Sequence, residues 1–286
     1  GGLEMDIIIS SYKDENHQFN FTHNLSQPPN TNINVHIHDQ YELYYFLSGD
    51  VIYYIEGQTY KLQSNDILIM NNRELHKPNF ESLKDYERIA IHFLPEYVTS
   101  FQGKTYDILK SYEKRKLGFF NHFSAEEVAR YNIPRHIDQI EKHIDKNSEE
   151  RHVMIKTIFI QMLVKLNQIF SMKINSGEHA KTYEYDSKIV EILDFINNNL
   201  GQKITLDLLE KKFYVSKYYL CHVFKKNTGF TIMEYVIHKR VMKAKELLQM
   251  QTPVIDTCNA VGFNDYSNFY KVFKKLTGVS PREFSR

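Results

Sequence analysis

Histidine and glutamate side chains that can bind a metal or a polar ligand are spaced closely in the first third of the chain. They are His36, His38, Glu42 and His76. In an extended strand, His36 and His38 point to the same side, where Glu42 can join them. Three imidazoles and one carboxylate form a donor set that suits Zn, Fe, Mn or Ni. The same side chains can instead hold an organic ligand without metal, or line a cavity that has lost its ligand, and these alternatives stay open.

A second set of candidate ligand-binding side chains is basic or aromatic. Arg88 and His92 share one strand face and would meet anionic or hydroxyl groups of a ligand, although they can equally face solvent. Tyrosine offers a sugar both a stacking surface and a hydroxyl. The tyrosines concerned are Tyr41, Tyr44, Tyr45, Tyr53, Tyr54 and Tyr60. A tyrosine-rich core or interface is the alternative, because alternation alone does not say which of them point inward.

Short strands separated by polar turns must position these residues. The apolar or alternating segments are residues 51–55, 60–62, 66–70 and 88–93. Residues 56–59 form a turn between the first two, and strand character extends over 33–93. Many short strands with polar turns are typical of a sandwich or barrel, so we expect a β-barrel over residues 5–95.

The spacing of the first three ligand-type residues and Gly49 resembles the first motif of the cupin barrels. His76 follows one hairpin later, where the second cupin motif has its histidine. The sequence departs from the motifs at Asn30, which replaces a leading glycine, and at 71–73, which replace a Pro-x-Gly turn. We predict effector contacts from His36, His38, Glu42, His76, Arg88 and His92. The first four would be the donors of a divalent metal, and we expect no other cofactor.

From about residue 96 the apolar periodicity becomes helical. Ser124 and Glu127 fit a capping box at the start of one helix. A longer apolar stripe marks another helix and consists of Ile155, Phe159, Met162, Leu166 and Ile169. Residues 173–185 are polar, contain Gly177 and break the periodicity, so we expect a linker there.

The C-terminal part of the chain contains an internal repeat. Residues 223–229 (VFKKNTG) recur as 272–278 (VFKKLTG), and three positions beyond them match at the same offset. Each copy is predicted to form a helix, a tight turn and a second helix. In the first copy the signals are the caps Thr205 and Ser216, the turn at 214–215 and the stop at Gly229. In the second they are Pro253, the turn at 261–263, the cap Asn264 or Asp265, and Gly278.

Each second helix has an apolar face and a polar, basic face. The outward residues are Lys217, Tyr218, Cys221, His222 and Lys225 in one copy, and Tyr266, Ser267, Tyr270, Lys271 and Lys274 in the other. A helix-turn-helix presents such a face to the major groove of DNA. We predict phosphate contacts from Lys217, Lys225, Lys226, Lys274 and Lys275. Solvated faces of some other helical domain are the alternative. A long helix over 232–250 would hold the two reading helices about 34 Å apart.

Residues 186–286 resemble the paired helix-turn-helix domain of the AraC/XylS family of bacterial regulators. The residues that carry the resemblance are 260–265 (AVGFND), Ser267, Phe269, 273–275 (FKK), Gly278, Ser280, Pro281 and Phe284. The first unit departs from the family at Glu210, Tyr214 and His222. His222 occupies a position where the family often has Arg, and an arginine there would read guanine with two hydrogen bonds. The resemblance implies base reading by Tyr218, Cys221, His222, Tyr266, Ser267, Tyr270 and Lys271.

The same resemblance implies a sensor barrel in front and a helical dimerisation segment over 96–172. The chain would form a homodimer through this segment, with Ile155, Phe159, Met162 and Leu166 in the interface, although this stripe can also pack on the barrel. We therefore predict an α+β chain: a cupin-like β-barrel, a helical dimerisation segment, a linker and an all-α domain with two helix-turn-helix units.

Charge and composition agree with a DNA-binding tail. Residues 186–286 contain 16 of the 36 Lys and Arg residues and 10 of the 35 Asp and Glu residues, which makes them +6 against −5 in front. We find no signal peptide and no long apolar run, and two cysteines suit a reducing compartment, so we expect a cytoplasmic protein without membrane contact.

These observations predict a sequence-specific transcription activator rather than an enzyme. Its partners would be double-stranded DNA, RNA polymerase, a second subunit and a small-molecule effector, expected to be a carbohydrate. The alternatives are a metal-binding cupin, as metal sensor or metalloenzyme, fused to the DNA-binding domain, and regulation by a protein partner.

Overall fold

Two antiparallel sheets form the N-terminal part of the chain. The computed structural model describes residues 7–27, 40–146, 148–177, 187–228 and 230–285. The larger sheet has the strand order β1-β2-β8-β3-β6-β9 and the smaller one β5-β4-β7. The strands are β1 (Ile7–Lys13), β2 (Phe19–Ser26), β3 (Tyr41–Ser48), β4 (Val51–Ile55), β5 (Gln58–Lys61), β6 (Ile67–Met70), β7 (His76–Phe80), β8 (Tyr86–Phe93) and β9 (His122–Phe123). The sheets face each other as an open jelly roll that is compatible with the predicted cupin-like fold, without closing into a barrel.

Strand β3 lies between two apolar cores and is therefore buried on both faces. Tyr41, Leu43 and Tyr45 point towards the helices that cover the larger sheet. Tyr44 and Phe46 point the other way, into the space between the sheets. Successive side chains of a strand alternate between its faces, so this single strand supplies both layers.

Helices cover the outer face of the larger sheet. They are α1 (Glu96–Thr99), α2 (Lys110–Glu113), α3 (Ala125–Arg130), α4 (Ile133–Ile144) and α5 (Arg151–Asn175). The predicted capping box is confirmed: the Ser124 hydroxyl accepts from the Glu127 amide, and the Glu127 carboxylate accepts from the Ser124 amide. Helix α5 includes the first residues of the predicted linker, and residues 178–186 lie outside the described residues.

The predicted assignment of the α5 stripe to a dimer interface is wrong. Ile155, Phe159, Met162 and Leu166 are all 0% exposed within a single chain. The Phe159 ring packs edge-on against Phe93 at 4.9 Å between ring centroids. The stripe therefore forms the contact of α5 with the sheet and α4, and these side chains have no surface left for a second subunit.

By length and composition α5 is apolar enough to cross a membrane, but 56% of its most apolar window is buried inside the protein. Such burial is typical of a helix in the core of a globular domain.

The C-terminal part is entirely helical within the described residues. Its helices are α6 (Ser187–Asn198), α7 (Leu206–Phe213), α8 (Lys217–Thr228), α9 (Ile232–Gln249), α10 (Val254–Ala260), α11 (Tyr266–Thr277) and α12 (Pro281–Phe284). They enclose two apolar cores, one per copy of the repeat. Helix α9 contributes to both, with Tyr235 and Val236 in the first and Val241 and Ala244 in the second.

Candidate nucleic-acid interface and ligand cavity

The first helix-turn-helix unit consists of α7, a tight turn and α8. The Thr205 hydroxyl accepts from the Leu208 amide and starts α7, as predicted. Tyr214 ends α7 in the left-handed region with φ of 54°. Ser216 then caps α8, since its hydroxyl accepts from the Tyr219 amide at 3.2 Å. These local signals set where α7 ends and α8 begins, and the apolar faces of both helices pack in one core.

The outer face of α8 is exposed along its length. Leu220 and Phe224 are fully buried, whereas Tyr218, Cys221 and His222 face solvent. The rings of Tyr218 and His222 stack with centroids 4.0 Å apart, which makes one flat polar surface. The predicted phosphate-binding lysines of this unit, Lys217, Lys225 and Lys226, are also exposed.

The ammonium group of Lys217 pairs with the Asp207 carboxylate. This hydrogen bond and charge raise the pKa of Lys217 and lower that of Asp207. A phosphate that approaches Lys217 would therefore compete with a carboxylate of its own unit.

The second unit repeats this arrangement with α10, a turn and α11. Pro253 is the residue just before α10 rather than within its first turn. The Asp265 carboxylate caps α11 by accepting from the amides of Ser267 at 3.2 Å and Asn268 at 2.9 Å. Gly278 ends α11 in the left-handed region with φ of 81°. The residues predicted to contact DNA are all exposed on α11: Tyr266, Ser267, Tyr270, Lys271, Lys274 and Lys275.

The two units are joined by more than the connecting helix α9. The Arg240 guanidinium donates to the Leu200 carbonyl at 3.0 Å and to the Gln202 carbonyl at 2.7 Å. It also lies over the Phe263 ring in the turn of the second unit, 5.8 Å from the centroid. Gly262 of that turn has φ of +84°, and a Cβ atom there would lie 2.4 Å from the Leu200 carbonyl oxygen. The loop after α6 and the turn of the second unit are therefore in direct contact.

A cavity of about 260 Å³ lies between the two sheets. It is lined by Thr22 and Asn24 of β2, Glu42 and Tyr44 of β3, Tyr53 of β4, His76 and Pro78 of β7, and Tyr86, Arg88, Ala90 and His92 of β8. The strand register aligns them: Glu42 is opposite His92, and Asn24 is opposite Arg88. Alternate residues of neighbouring strands thus form one polar wall.

Glu42 is the centre of the charged groups in this cavity. Its carboxylate lies 3.1 Å from Nε2 of His76 and 3.6 Å from Nε2 of His92. Burial favours the neutral imidazole of His76, but the hydrogen bond and charge of Glu42 and the Glu74 carbonyl outweigh it, so the pKa of His76 is raised. The buried pair therefore favours an imidazolium–carboxylate contact.

Phenol rings and one guanidinium complete the cavity. The hydroxyls of Tyr44 and Tyr86 are hydrogen-bonded to each other, and burial raises the pKa of Tyr44 well above its usual range. The Arg88 guanidinium lies over the Tyr86 ring at 4.6 Å and donates to Ser26 at 3.1 Å. These groups offer hydrogen-bond donors, acceptors and aromatic faces to a polar ligand.

Four of the six predicted effector residues line this cavity together: Glu42, His76, Arg88 and His92. His36 and His38 lie outside the described residues, as does Asn30. Sequence reasoning missed Thr22 and Asn24, whose alternation with the buried Phe19 and Phe21 on β2 is visible in the sequence. Of the predicted tyrosines, Tyr44 and Tyr53 reach the cavity, whereas Tyr41 and Tyr45 belong to the core under the helices.

Glu42, His76 and His92 meet in the cavity, but among the described residues no group of three or more His, Cys, Asp or Glu side chains is placed to hold a metal ion. Two of the four predicted donors, His36 and His38, fall in the undescribed segment 28–39. Glu42 and His76 would fit such a donor set chemically, since carboxylate and imidazole are ordinary zinc and iron ligands.

Comparison with known proteins identifies both halves of the chain. The family described as "AraC-like ligand binding domain" matches residues 20–162, and the family described as "Helix-turn-helix domain" matches residues 209–286. The uncharacterized HTH-type transcriptional regulator YdiP of Escherichia coli is 24% identical over 271 residues, covering 88% of this chain and 80% of YdiP. The lactose operon transcription activator of Staphylococcus xylosus is 24% identical over 265 residues, covering 90% of this chain and 87% of that protein.

Among solved structures, fatty-acid-bound ToxT from Vibrio cholerae is 15% identical, has a TM-score of 0.39, and covers 96% of this chain and 97% of its own. The AraC-like ligand-binding family alone spans half of the chain, and the helix-turn-helix domain follows it. The chain therefore belongs to the AraC family of transcription regulators, in which a ligand-binding domain precedes a DNA-binding domain with two helix-turn-helix units.

Proposed function

We propose that this regulator activates transcription when a sugar binds in the cavity between the two sheets. The observation that supports this is the lining of that cavity: one carboxylate, two imidazoles, one guanidinium and three phenols converge in the ligand-binding domain. Carboxylates and amides bond sugar hydroxyls, and the phenol faces of Tyr44, Tyr53 and Tyr86 suit the apolar face of a sugar ring. A volume of about 260 Å³ favours one monosaccharide ring over a larger effector. The relative named as the activator of a lactose operon supports the activating role and an association with sugar metabolism.

Within this proposal the two reading faces have separate roles. Tyr218, Cys221 and His222 of α8 and Tyr266, Ser267, Tyr270 and Lys271 of α11 contact base edges in successive major grooves. Lys217, Lys225, Lys226, Lys274 and Lys275 contact phosphates, which set affinity and register. The exposure of these side chains and the burial of the opposite helix faces support the assignment.

The regulator would be a cytoplasmic homodimer that recruits RNA polymerase. Since the buried stripe of α5 is unavailable, the dimer would use another face of the same helix. Residues at one-turn intervals on that face are exposed or half-buried: Val153, Thr157, Ile160, Val164 and Gln168. Their spacing is that of a helix–helix seam.

Thermal melting of the purified protein against a panel of monosaccharides and divalent metals tests the proposal, with bound metal assayed beforehand. A ligand at a hundred times its dissociation constant should add about 2.7 kcal/mol to the free energy of unfolding. If the sugar binds in the cavity, Glu42→Gln should lose the sugar-induced shift in melting temperature. The control Glu81→Gln should keep the shift of the unmodified protein. No shift with any sugar, together with unaltered DNA binding, would refute the sugar effector.

A metal-binding cupin is the second candidate, because Glu42 lies close to both His76 and His92. It predicts about one metal ion per chain, lost in His76→Ala, and as an enzyme it would also show turnover in a substrate screen. The full-length relatives named above are transcription regulators, which favours the sensor over the enzyme.

A further inference from the structure

The turn between β4 and β5 reaches out of the ligand-binding domain and into the first helix-turn-helix unit. At its tip, the Glu56 carboxylate accepts hydrogen bonds from the Tyr235 hydroxyl at 3.0 Å and from Nζ of Lys239 at 2.7 Å. Both partners belong to α9, the helix that joins the two DNA-binding units. Glu56 and Lys239 are each 6% exposed and Tyr235 is 0% exposed, so this is a buried ion pair between domains.

A second connection runs beside the first. The Leu75 side chain is fully buried in the apolar core of the first unit, although Leu75 belongs to the ligand-binding domain. Nζ of Lys239 also donates to the Arg73 carbonyl at 3.1 Å. The Glu56 amide donates to the Leu75 carbonyl at 2.8 Å, which ties the two connections together. We call Glu56, Leu75, Tyr235 and Lys239 the interdomain latch.

The latch stands on a rigid base within the ligand-binding domain. Glu74 forms a fully buried ion pair with Arg115 and accepts from the Gly118 amide at 2.8 Å. Gly118 in turn packs under the hairpin, where a Cβ atom would lie 3.0 Å from Cβ of Glu56. The hairpin tip therefore has little freedom to move independently of residue 74.

The latch is one residue away from the ligand cavity. Leu75 points into the DNA-binding domain, and the next residue, His76, points into the cavity and contacts Glu42. On the neighbouring strand β4, Ile55 pairs with His76, and Glu56 follows directly. Because Leu75 directly precedes His76, the first residue of β7, a shift of the His76 backbone along its strand would also move Leu75.

From this arrangement we infer that the interdomain latch fixes the orientation of the DNA-binding domain on the ligand-binding domain, and that occupation of the cavity acts on the latch through His76. Removing one partner of a buried ion pair is strongly destabilising, so both domains must keep Glu56 and Lys239 together while the latch is closed. A cavity of about 190 Å³, lined in part by Glu56, Asp194 and Asn197, remains beside the latch. The interface is thus not packed like a core and can separate, as a switch requires.

Hydrogen–deuterium exchange of the full-length chain tests the latch itself. Lys239→Met leaves Glu56 buried without its counter-charge, and exchange in residues 52–58 and 73–77 should become at least about a hundredfold faster. The matched control is Lys243→Met on the exposed face of the same helix, which should change exchange there by no more than about twofold. Equal exchange in the two variants would overturn the latch.

Two further variants keep the test decisive if Lys239→Met does not fold. Tyr235→Phe removes one hydroxyl and should speed exchange in the same segments about fivefold. The Glu56 carboxylate also accepts from the Leu75 amide at 2.7 Å. The double variant Glu56→Gln/Lys239→Met removes both charges but keeps an acceptor for that amide, so it should fold and remain protected. Normal protection in Tyr235→Phe, or loss of the fold in the double variant, would contradict the inference.

The coupling to the cavity rests on the proposed sensor function and has its own readout. His76→Gln should speed exchange of residues 232–242 on α9, whereas the exposed control Glu81→Gln, just beyond the other end of β7, should not. If latch variants behave as expected and His76→Gln does not, the coupling is refuted while the latch stands. Failure of the proposed sugar effector appears separately, as the absence of any ligand-induced melting shift.

Discussion

Replacing Gly262 by alanine tests how the two DNA-binding units are held together. Gly262 has φ of +84°, and a Cβ atom there would lie 2.4 Å from the Leu200 carbonyl oxygen and 2.9 Å from Nη2 of Arg240. The Leu200 carbonyl is backbone and accepts from Nε of Arg240 at 3.0 Å. The neighbour therefore cannot withdraw without losing that hydrogen bond.

The expected loss of stability has two parts. The left-handed conformation costs an alanine about 1–2 kcal/mol. Forcing an extra carbon into a filled site costs about 1–3 kcal/mol more. Gly278→Ala is the matched control, because Gly278 has φ of +81° but no heavy atom within 4 Å of its would-be Cβ. We expect a loss of about 2–5 kcal/mol for Gly262→Ala and about 1–2 kcal/mol for Gly278→Ala.

Urea-induced unfolding followed by circular dichroism measures both losses, provided that the dependence of the free energy of unfolding on urea concentration is the same in both variants. The difference between the two variants isolates the contact between the units from the backbone strain that they share. If Gly262→Ala loses no more free energy than Gly278→Ala, the two units are not in the close contact described and the reasoning is wrong. Weaker DNA binding by Gly262→Ala alone, at a temperature where both variants are folded, would be the functional counterpart.

Three other perturbations have defined outcomes. The pKa of His76 is raised in the folded state. Its contribution to stability is therefore complete below the unfolded pKa of about 6.5 and is lost as pH rises through the folded pKa. The melting temperature should fall over that pH range, and His76→Gln should lack this dependence. Lys274→Ala should weaken binding to all DNA sequences and lower the slope of log affinity against log salt by about 1, whereas Tyr270→Ala should relax sequence preference with an unchanged slope, which titrations at several salt concentrations would separate. Phe159→Ala should cost about 3–5 kcal/mol without directly altering self-association, and Val153→Lys should do the reverse; sedimentation of both variants decides whether the outer face of α5 carries the dimer.

The helix boundaries of the DNA-binding domain could be predicted from sequence because their signals are local. Thr205, Ser216 and Asp265 bond to amides two or three residues ahead, so that each cap is encoded within one turn. The repeat supplied an internal check, since Phe224 and Phe273 occupy equivalent buried positions. The exposed residues of α8 and α11 followed from helical periodicity once the buried face was known.

The ligand cavity was only partly predictable because it depends on register between distant strands. Glu42 and His92 are opposite each other across β3 and β8, a pairing that no local pattern specifies. Alternation along β3 places Tyr41 and Tyr44 on opposite faces, but which face lies under the helices and which meets the cavity depends on packing with distant elements. The α5 stripe failed differently: its periodicity correctly predicted a buried face, but periodicity does not say whether the chain itself or a second subunit covers that face.

The contacts of the DNA-binding domain limit how an effector can act on it. Glu56 of the latch is hydrogen-bonded to Tyr235 and Lys239 of α9. Arg240, the next residue of α9, donates to the Leu200 carbonyl in the loop after α6, which contacts the turn of the second unit. Widening the spacing of the reading helices would have to break the close approach at Gly262, where backbone meets backbone. Releasing the latch requires the Glu56–Lys239 ion pair to separate and Leu75 to leave the apolar core of the first unit, but it meets no such backbone contact, and a cavity already lies beside it. The lower barrier therefore belongs to a motion in which both units move as one body relative to the ligand-binding domain. On this argument an effector of the proposed kind would change where α8 and α11 point, or how the two subunits of a dimer would present them, and would leave their spacing within one chain unchanged.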